Sequence, residues 1–326
     1  MQSDEAGRGD EWLAGNGAEE PDLPLLDQAS SYPQGTIQAH GALLVVSPDS
    51  LRILQASANA ESLLDVRFSP NFATPIHAIP GSDVDTWIGE LLRWLKAGAE
   101  TTFLRTARLL RRPMQVIGHR TGQGVVLEFE DGPEREGETL IALHPRLGQF
   151  LTAIESVTDV PTLARMAARE LRDITGFNRV FLCRFENARA VVVADDVDGA
   201  WPPASHVRLA SPPAAPIDLM RYRITRLHLV ADAGHPPSPI LPNLSQVDGK
   251  PLDLSLAGLR SATGDHLQYL RQLGAAASLT VSLVVDGALW GLVVGHNRAP
   301  LRINAQVRTA CDLLCQMLAM RIAAVR

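Results

Sequence analysis

Short apolar runs broken by turn residues fill the first part of the chain. Ala42 to Val46 and Leu51 to Ser57, separated by Ser47-Pro48-Asp49-Ser50, predict a hairpin. Thr101 to Arg108, Met114 to His119 and Gly124 to Glu130 predict three more strands. Two segments between them change period. Ala58 to Leu64 reads as a short helical piece, and Trp87, Ile88, Leu91, Leu92, Trp94 and Leu95 recur at helical spacing within Val84 to Lys96. Further on, Pro145 to Val157 and Thr162 to Thr175 predict helices, the second ended by Gly176. Arg179 to Phe185 and Ala190 to Ala194 then alternate as strands, with Phe181, Cys183 and Phe185 on one face and Val180, Leu182 and Arg184 on the other. Prolines 202, 203, 212, 213 and 216 make the next stretch a loop lining something. Ile217 to Arg226 can be helical, and a second Pro-rich loop spans Ala233 to Pro251.

The run from Asp253 to Asn297 organises the rest, reading as loop, helix, strand, tight turn and strand. Leu267, Tyr269, Leu270 and Leu273 follow the polar Thr263-Gly264-Asp265 at helical spacing, and Gly274 stops the helix. Ala277 to Val285, the turn Asp286-Gly287 and Ala288 to Val294 predict an antiparallel pair. Their inward side chains would wall a pocket, with Arg260, His266, Ser278, Thr280 and His296 as polar groups in an apolar cavity. Asn304 to Val325 predicts a long terminal helix. Its apolar face of Ala310, Leu313, Leu314, Met317, Leu318 and Ile322 suits a homodimer seam.

Composition narrows the class. A chain of 326 residues suggests two domains at roughly 100 to 200 residues each. We divide it into an arm over 1–20, a first domain over 21–130, a linker over 131–144 and a second domain over 145–326. The formal charge of −6, with basic residues concentrated only between Arg105 and Arg112, excludes a nucleic-acid footprint. No apolar run approaches the roughly 20 residues of a membrane span, and the acidic N-terminus lacks a signal-peptide core, so a cytoplasmic location is expected. Cys183, Cys311 and Cys315 have neither metal-ligand spacing nor a disulfide framework. Asp195, Asp196 and Asp198 form an acidic turn expected to be solvated, and no nucleophile–base pair, phosphate loop or zinc motif implies catalysis.

Two motifs then carry a resemblance. Ile37-Gln38-Ala39-His40-Gly41-Ala42-Leu43-Leu44 resembles the IQxHG segment of the phytochrome PAS domain. The series Arg260, His266, Tyr269-Leu270, Ser278 to Val285, Leu289-Trp290-Gly291-Leu292 and His296 resembles the bilin-binding GAF domain of bacterial phytochromes. The likeness covers roughly residues 21 to 326. It implies an α+β fold of two domains, PAS then GAF, each an antiparallel sheet flanked by helices. It also implies a figure-of-eight knot, with Ile37 near the crossing and a loop from about Asp232 to Pro251.

The resemblance further implies biliverdin as cofactor and Tyr222, His228, Arg260, His266, Tyr269, Ser278, Thr280 and His296 as its surroundings, with Cys183 at a tyrosine position of the family. Several family groups are missing. The attaching cysteine, eleven residues before the motif isoleucine, is Leu26, so the usual thioether cannot form. The PASDIP aspartate is Pro213, which offers neither carboxylate nor N–H. Of the two propionate-binding cations, Arg260 remains and His228 stands for the other. These changes imply a sensory module that binds bilin weakly or not at all, signals without light, and acts on an output domain beyond the chain. The alternatives are a red-light photoreceptor holding biliverdin non-covalently, and a GAF domain sensing redox state or another small ligand. Cys311 and Cys315, four apart on one helical face, read first as core packing; for the redox case they would instead form an intersubunit contact.

Overall fold

The computed structural model describes residues 22–23, 35–69, 71, 73–98, 102–109, 112–186, 189–199, 201, 208–209 and 225–326. Leu26, Pro213 and Tyr222 lie outside these, as does the helix expected from Ile217 up to residue 224.

The first domain is built on a sheet of seven strands. In chain order these are β2 (Thr36–Ile37), β3 (Ala42–Val46), β4 (Ile53–Ser57), β5 (Phe103–Leu109), β6 (Arg112–Thr121), β7 (Gly124–Asp131) and β12 (Ser238–Leu241), with spatial order β2-β12-β4-β3-β7-β6-β5. A two-residue strand β1 (Asp22–Leu23) pairs separately with β10 (Arg208–Leu209). Helices α1 (Ala60–Leu64) and α2 (Val84–Lys96) cover one face, where Trp87, Ile88 and Leu91 meet Leu44, Leu127 and Phe129. β3 is five apolar residues, all buried, because Ala42, Leu44 and Val46 face the helices while Leu43 and Val45 face the second domain.

That second domain carries a five-stranded antiparallel sheet, in the order β11 (Leu227–Val230), β13 (Ala277–Val285), β14 (Ala288–Asn297), β8 (Arg179–Glu186), β9 (Arg189–Val197). Helices α3 (Leu140–Glu155), α4 (Val160–Thr175) and α6 (Ala305–Val325) cover one face, and α5 (Gly264–Leu273) the other. The β13–β14 turn needs positive φ at both central residues, and Asp286 and Gly287 adopt 50° and 76°. Asp159 and Thr263 cap α4 and α5 through their side chains, and Gly176 and Gly274 close them in the left-handed conformation.

Three expectations change. The helix placed from Pro145 begins at Leu140, where the Thr139 side chain accepts the Ala142 N–H, so the proline lies inside it. Its missing N–H frees the carbonyl of Ile141, a residue 87% exposed. The loop placed at Ala233 to Pro251 contains β12, which leaves its own domain and joins the first domain's sheet between β2 and β4. Pro239 and Pro242 masked that strand, since proline lowers the expectation of a ladder position. On the terminal helix, Ala310, Leu314, Leu318 and Ile322 pack on their own domain, leaving Leu313 and Met320 exposed.

The domains are joined through the second face of the large sheet. Ile37, Leu43, Val45, Val126, Ile240, Leu252 and Leu259 form its apolar part. Around them stand buried polar side chains that each hold a segment of the other domain. The Gln123 amide donates to Asp248 and to the Lys250 and Pro251 carbonyls and accepts the Asp253 N–H. Gln115 accepts the Ala305 N–H at the start of α6. Gln38 bonds Leu229, Ala231, Leu259 and Arg260. Residues 35–38 are thus bonded on one side to β12 and on the other to 259–261. How the chain before Gly35 passes that loop, the crossing the knot requires, lies outside the described residues.

Gly41 sits at a close approach: a Cβ there would come 2.6 Å from a Leu259 methyl and 2.9 Å from the Phe129 carbonyl oxygen. Gly41→Ala is expected to lower stability by about 1–3 kcal/mol through this overlap, read as a lower urea midpoint.

Candidate ligand pocket

The pocket floor is the face of the five-stranded sheet turned towards α5. Register builds it as a grid. His296 lies between Ser278 and Arg179, and Val294 between Thr280 and Phe181. Leu292 lies between Ser282 and Cys183. His228 and Val230 on β11 extend it beside Thr280 and Ser278. From above, α5 contributes His266, Tyr269 and Leu270, all buried. The His296 ring lies 5.5 Å from Phe181, 6.0 Å from Trp201 and 6.2 Å from Tyr269 between ring centres.

Arg260 enters from the loop before α5, buried, with Nη1 donating to the Ser255 carbonyl at 2.8 Å. His228 hydrogen-bonds the Arg260 main chain, so the two expected basic positions do come together. Burial, with the Arg260 cation and His266 beside it, depresses the His228 pKa well below its ordinary value. His228 is therefore a neutral group and no second cation. Burial also lowers His266 to about 4, and burial with the Arg179 cation lowers His296 to about 3.

The pocket is rich in polar atoms without protein partners. His228 Nε2, His266 Nδ1, Tyr269 OH, Ser282 Oγ and both ring nitrogens of His296 are buried with no hydrogen bond among the described residues. Unpaired buried polar groups cost about 1–3 kcal/mol each, so a layer between sheet and helix that keeps this many is suited to a ligand with several donors and acceptors. A linear tetrapyrrole fits that donor set. Cys183, on the same face, is engaged elsewhere: its thiol donates to the Leu292 carbonyl at 3.7 Å, and burial pushes its pKa up to about 12.

Of the residues singled out in the sequence, His228, Arg260, His266, Tyr269, Ser278, Thr280, His296 and Cys183 are assembled here. Tyr222 lies outside the described residues. Sequence reasoning missed Arg179, fully buried and paired through two bonds with Asp195 at 2.9 and 2.8 Å, and also Ser282 and Trp201. Arg179 and Ser282 were within reach, because each continues an alternation already traced through Phe181 or Thr280. Asp195 is thereby committed to an arginine, as is Asp196 to Arg172, so the acidic turn is not simply solvated. No group of three or more metal-ligating side chains occurs among the described residues. Cys311 and Cys315 face the core of their own domain, with burial pushing Cys311 up to about 12 and Cys315 well above its usual value. The intersubunit redox contact expected of them has no accessible thiol.

Comparison with known proteins points to the same two-domain architecture. A PAS-fold family model matches residues 32–132, and a GAF-domain model matches residues 159–325. The chain is 31% identical over 323 residues to a bacteriophytochrome of Xanthomonas campestris pv. campestris, covering 94% of this chain and 48% of that protein. It is 27% identical over 307 residues to cyanobacterial phytochrome B of Nostoc sp., covering 93% and 41%. It thus spans less than half the length of these relatives. The chromophore-binding domain of an unusual bacteriophytochrome, RpBphP3 from R. palustris, superposes with a TM-score of 0.80 at 30% identity, covering 91% of this chain and 97% of that one.

Two expected outcomes follow from the buried groups. Histidines held neutral in the fold contribute stability that is complete above pH 6.5 and lost as pH falls towards 4, where only the unfolded chain takes up protons. Denaturant titrations across that window should show the decline, and His266→Gln should flatten it. All three cysteines should resist a thiol reagent in the native protein and react once it is unfolded.

Proposed function

The chain belongs to the bacteriophytochromes as a PAS–GAF sensory module, and from that premise we propose that it is a light-independent signalling input whose pocket holds biliverdin weakly and without a covalent bond. The observation that carries this reading is the state of the cysteines. All three are buried, none precedes residue 183, and the one facing the pocket is a protonated thiol bonded to a main-chain carbonyl. Leu26 and Pro213 at the family's attachment and PASDIP positions support it from the sequence.

In this reading Arg260 binds one propionate of the tetrapyrrole by a charge-assisted bond worth about 1.5–3 kcal/mol. His228, neutral beside it, offers an ordinary hydrogen bond to the second. His266, Tyr269, Ser278, Thr280 and His296 would meet the pyrrole nitrogens and carbonyls. The tetrapyrrole, when bound, supplies the visible absorption; the protein's part is to bind and orient it. We assign no catalytic residue to this segment. A homodimer fits the same reading, because the terminal helix and α3 leave Leu313, Met320, Ile141 and Leu151 exposed after packing on their own domain. A signalling domain elsewhere in the full protein would carry the output.

The unpartnered donors favour a second reading, a working photoreceptor with non-covalent biliverdin. Purification with biliverdin present, followed by absorption spectra before and after red illumination, separates the two. We expect a weak red band, no light-induced shift, and complete loss of pigment on denaturation. A photoconverting band would favour the second reading; pigment that survives denaturation would overturn both. Arg260→Ala should weaken any uptake by about tenfold or more, from loss of the one charged partner.

A further inference from the structure

We propose that Glu128 is the positioning residue for the Arg260 end of the pocket and that, through Glu130 and Arg308, it couples that end to the C-terminal helix. The proposal rests on the ligand-pocket reading given above and adds its route of regulation.

Glu128 lies on β7 in the interface between the domains, 1% exposed. Its two oxygens accept the main-chain N–H groups of Gly258 at 3.1 Å and Leu259 at 2.6 Å. These are the two residues before Arg260. Gln38 holds the same stretch from the other side, its N–H donating to the Leu259 carbonyl at 2.7 Å and its amide to the Arg260 carbonyl at 3.2 Å. The main chain that delivers Arg260 to the pocket is therefore held by the Glu128 carboxylate, by Gln38 and by the Thr36 carbonyl, which accepts the Ser261 N–H at 3.3 Å, all from the first domain.

Glu130, two residues along on the same face, binds Arg308 of α6 through two bonds of 2.8 and 2.6 Å. Arg308 also donates to the Ile303 carbonyl just ahead of that helix. Gly258 lies between the two halves of the cluster: a Cβ on it would be 3.8 Å from a Glu128 oxygen and 4.0 Å from an Arg308 nitrogen. His40 also stands nearby, its Nε2 3.8 Å from Glu130. Since Arg308 is committed to Glu130, Glu128 depends on the two amide donors to hold its charge in a dry interface.

Burial and the negative charge of Glu130 push Glu128 up to about 7, while Arg308 and His40 outweigh burial and hold Glu130 down at about 2. A shift of the 258–260 segment that withdraws either donor would favour a proton on Glu128, and that changes the field felt by Glu130 and Arg308. The reverse follows by reciprocity. An anion engaging Arg260 thus acts on the first turn of α6 without touching it.

Hydrogen exchange on the full chain tests this in two windows, residues 255–261 and 303–309. Glu128→Gln keeps the shape, removes the charge and places an NH2 against one of the two donors. It should speed exchange about tenfold in both windows. Acceleration in 255–261 alone would mean that Glu128 merely anchors a loop, and would overturn the coupling. Should that variant fail to fold, Arg308→Lys, which keeps the charge and loses the fork, decides by the same criterion: faster exchange in 255–261 supports the coupling and its absence overturns it. Titration with biliverdin, read by absorbance, should give about tenfold weaker uptake in Glu128→Gln than in the unaltered chain. If the unaltered chain takes up no biliverdin, the pocket reading fails, and the exchange result still decides the coupling.

Discussion

Two carboxylates and one guanidinium, shut away from water between the domains, set the geometry of everything around them. Separating charge from water costs several kcal/mol per ion, and only well-made hydrogen bonds return it. Glu130 has its return in the forked bond to Arg308, and Glu128 in two main-chain amides. Neither arrangement tolerates sliding of one domain over the other. Gln115 and Gln123 extend the same logic, Gln115 accepting the Ala305 N–H through its carbonyl oxygen and Gln123 bonding main-chain groups of the second domain on both sides of its amide. The sheet of the first domain is thus half of an interface whose polar groups specify register while Leu43, Val45 and Leu259 supply burial.

The pocket inherits its position from that interface and its character from burial. It is served by one buried arginine at the loop end and another, Arg179, at the far end beside His296. Three imidazoles between them stay neutral because water is excluded. A ligand carrying negative charge meets attraction at few points and hydrogen-bonding capacity at many. Such a site discriminates by shape and pattern of donors more than by net charge.

Much of the fold was legible because local chemistry and tertiary context agreed. The Asp286-Gly287 turn, the α2 stripe of Trp87, Ile88 and Leu91, and the Gly176 and Gly274 stops are each forced by backbone or packing within a few residues. The polar floor and lid of the pocket were legible from alternation together with the resemblance. What escaped depends on distant partners. A strand that contains Pro239 and is followed by Pro242 reads as loop until the sheet that receives it is known. Glu128, Glu130 and Gln115 alternate with apolar residues as solvent-facing positions do, Gln123 sits in a glycine-flanked turn, and nothing local says that another domain covers them. The face of Arg179 followed from alternation, but its pairing with Asp195 did not.

The strand formed by Ser238–Leu241 has a consequence for how this protein can be divided. It is encoded far downstream yet completes the upstream sheet, filling the gap between Thr36–Ile37 and Ile53–Ser57. Removed from its lender, the upstream half would present two bare sheet margins to water and to other chains. The pair is therefore a single heritable unit: recombination that moved one half without the other would leave a wound in both, and the boundary visible along the chain is no seam at all in space.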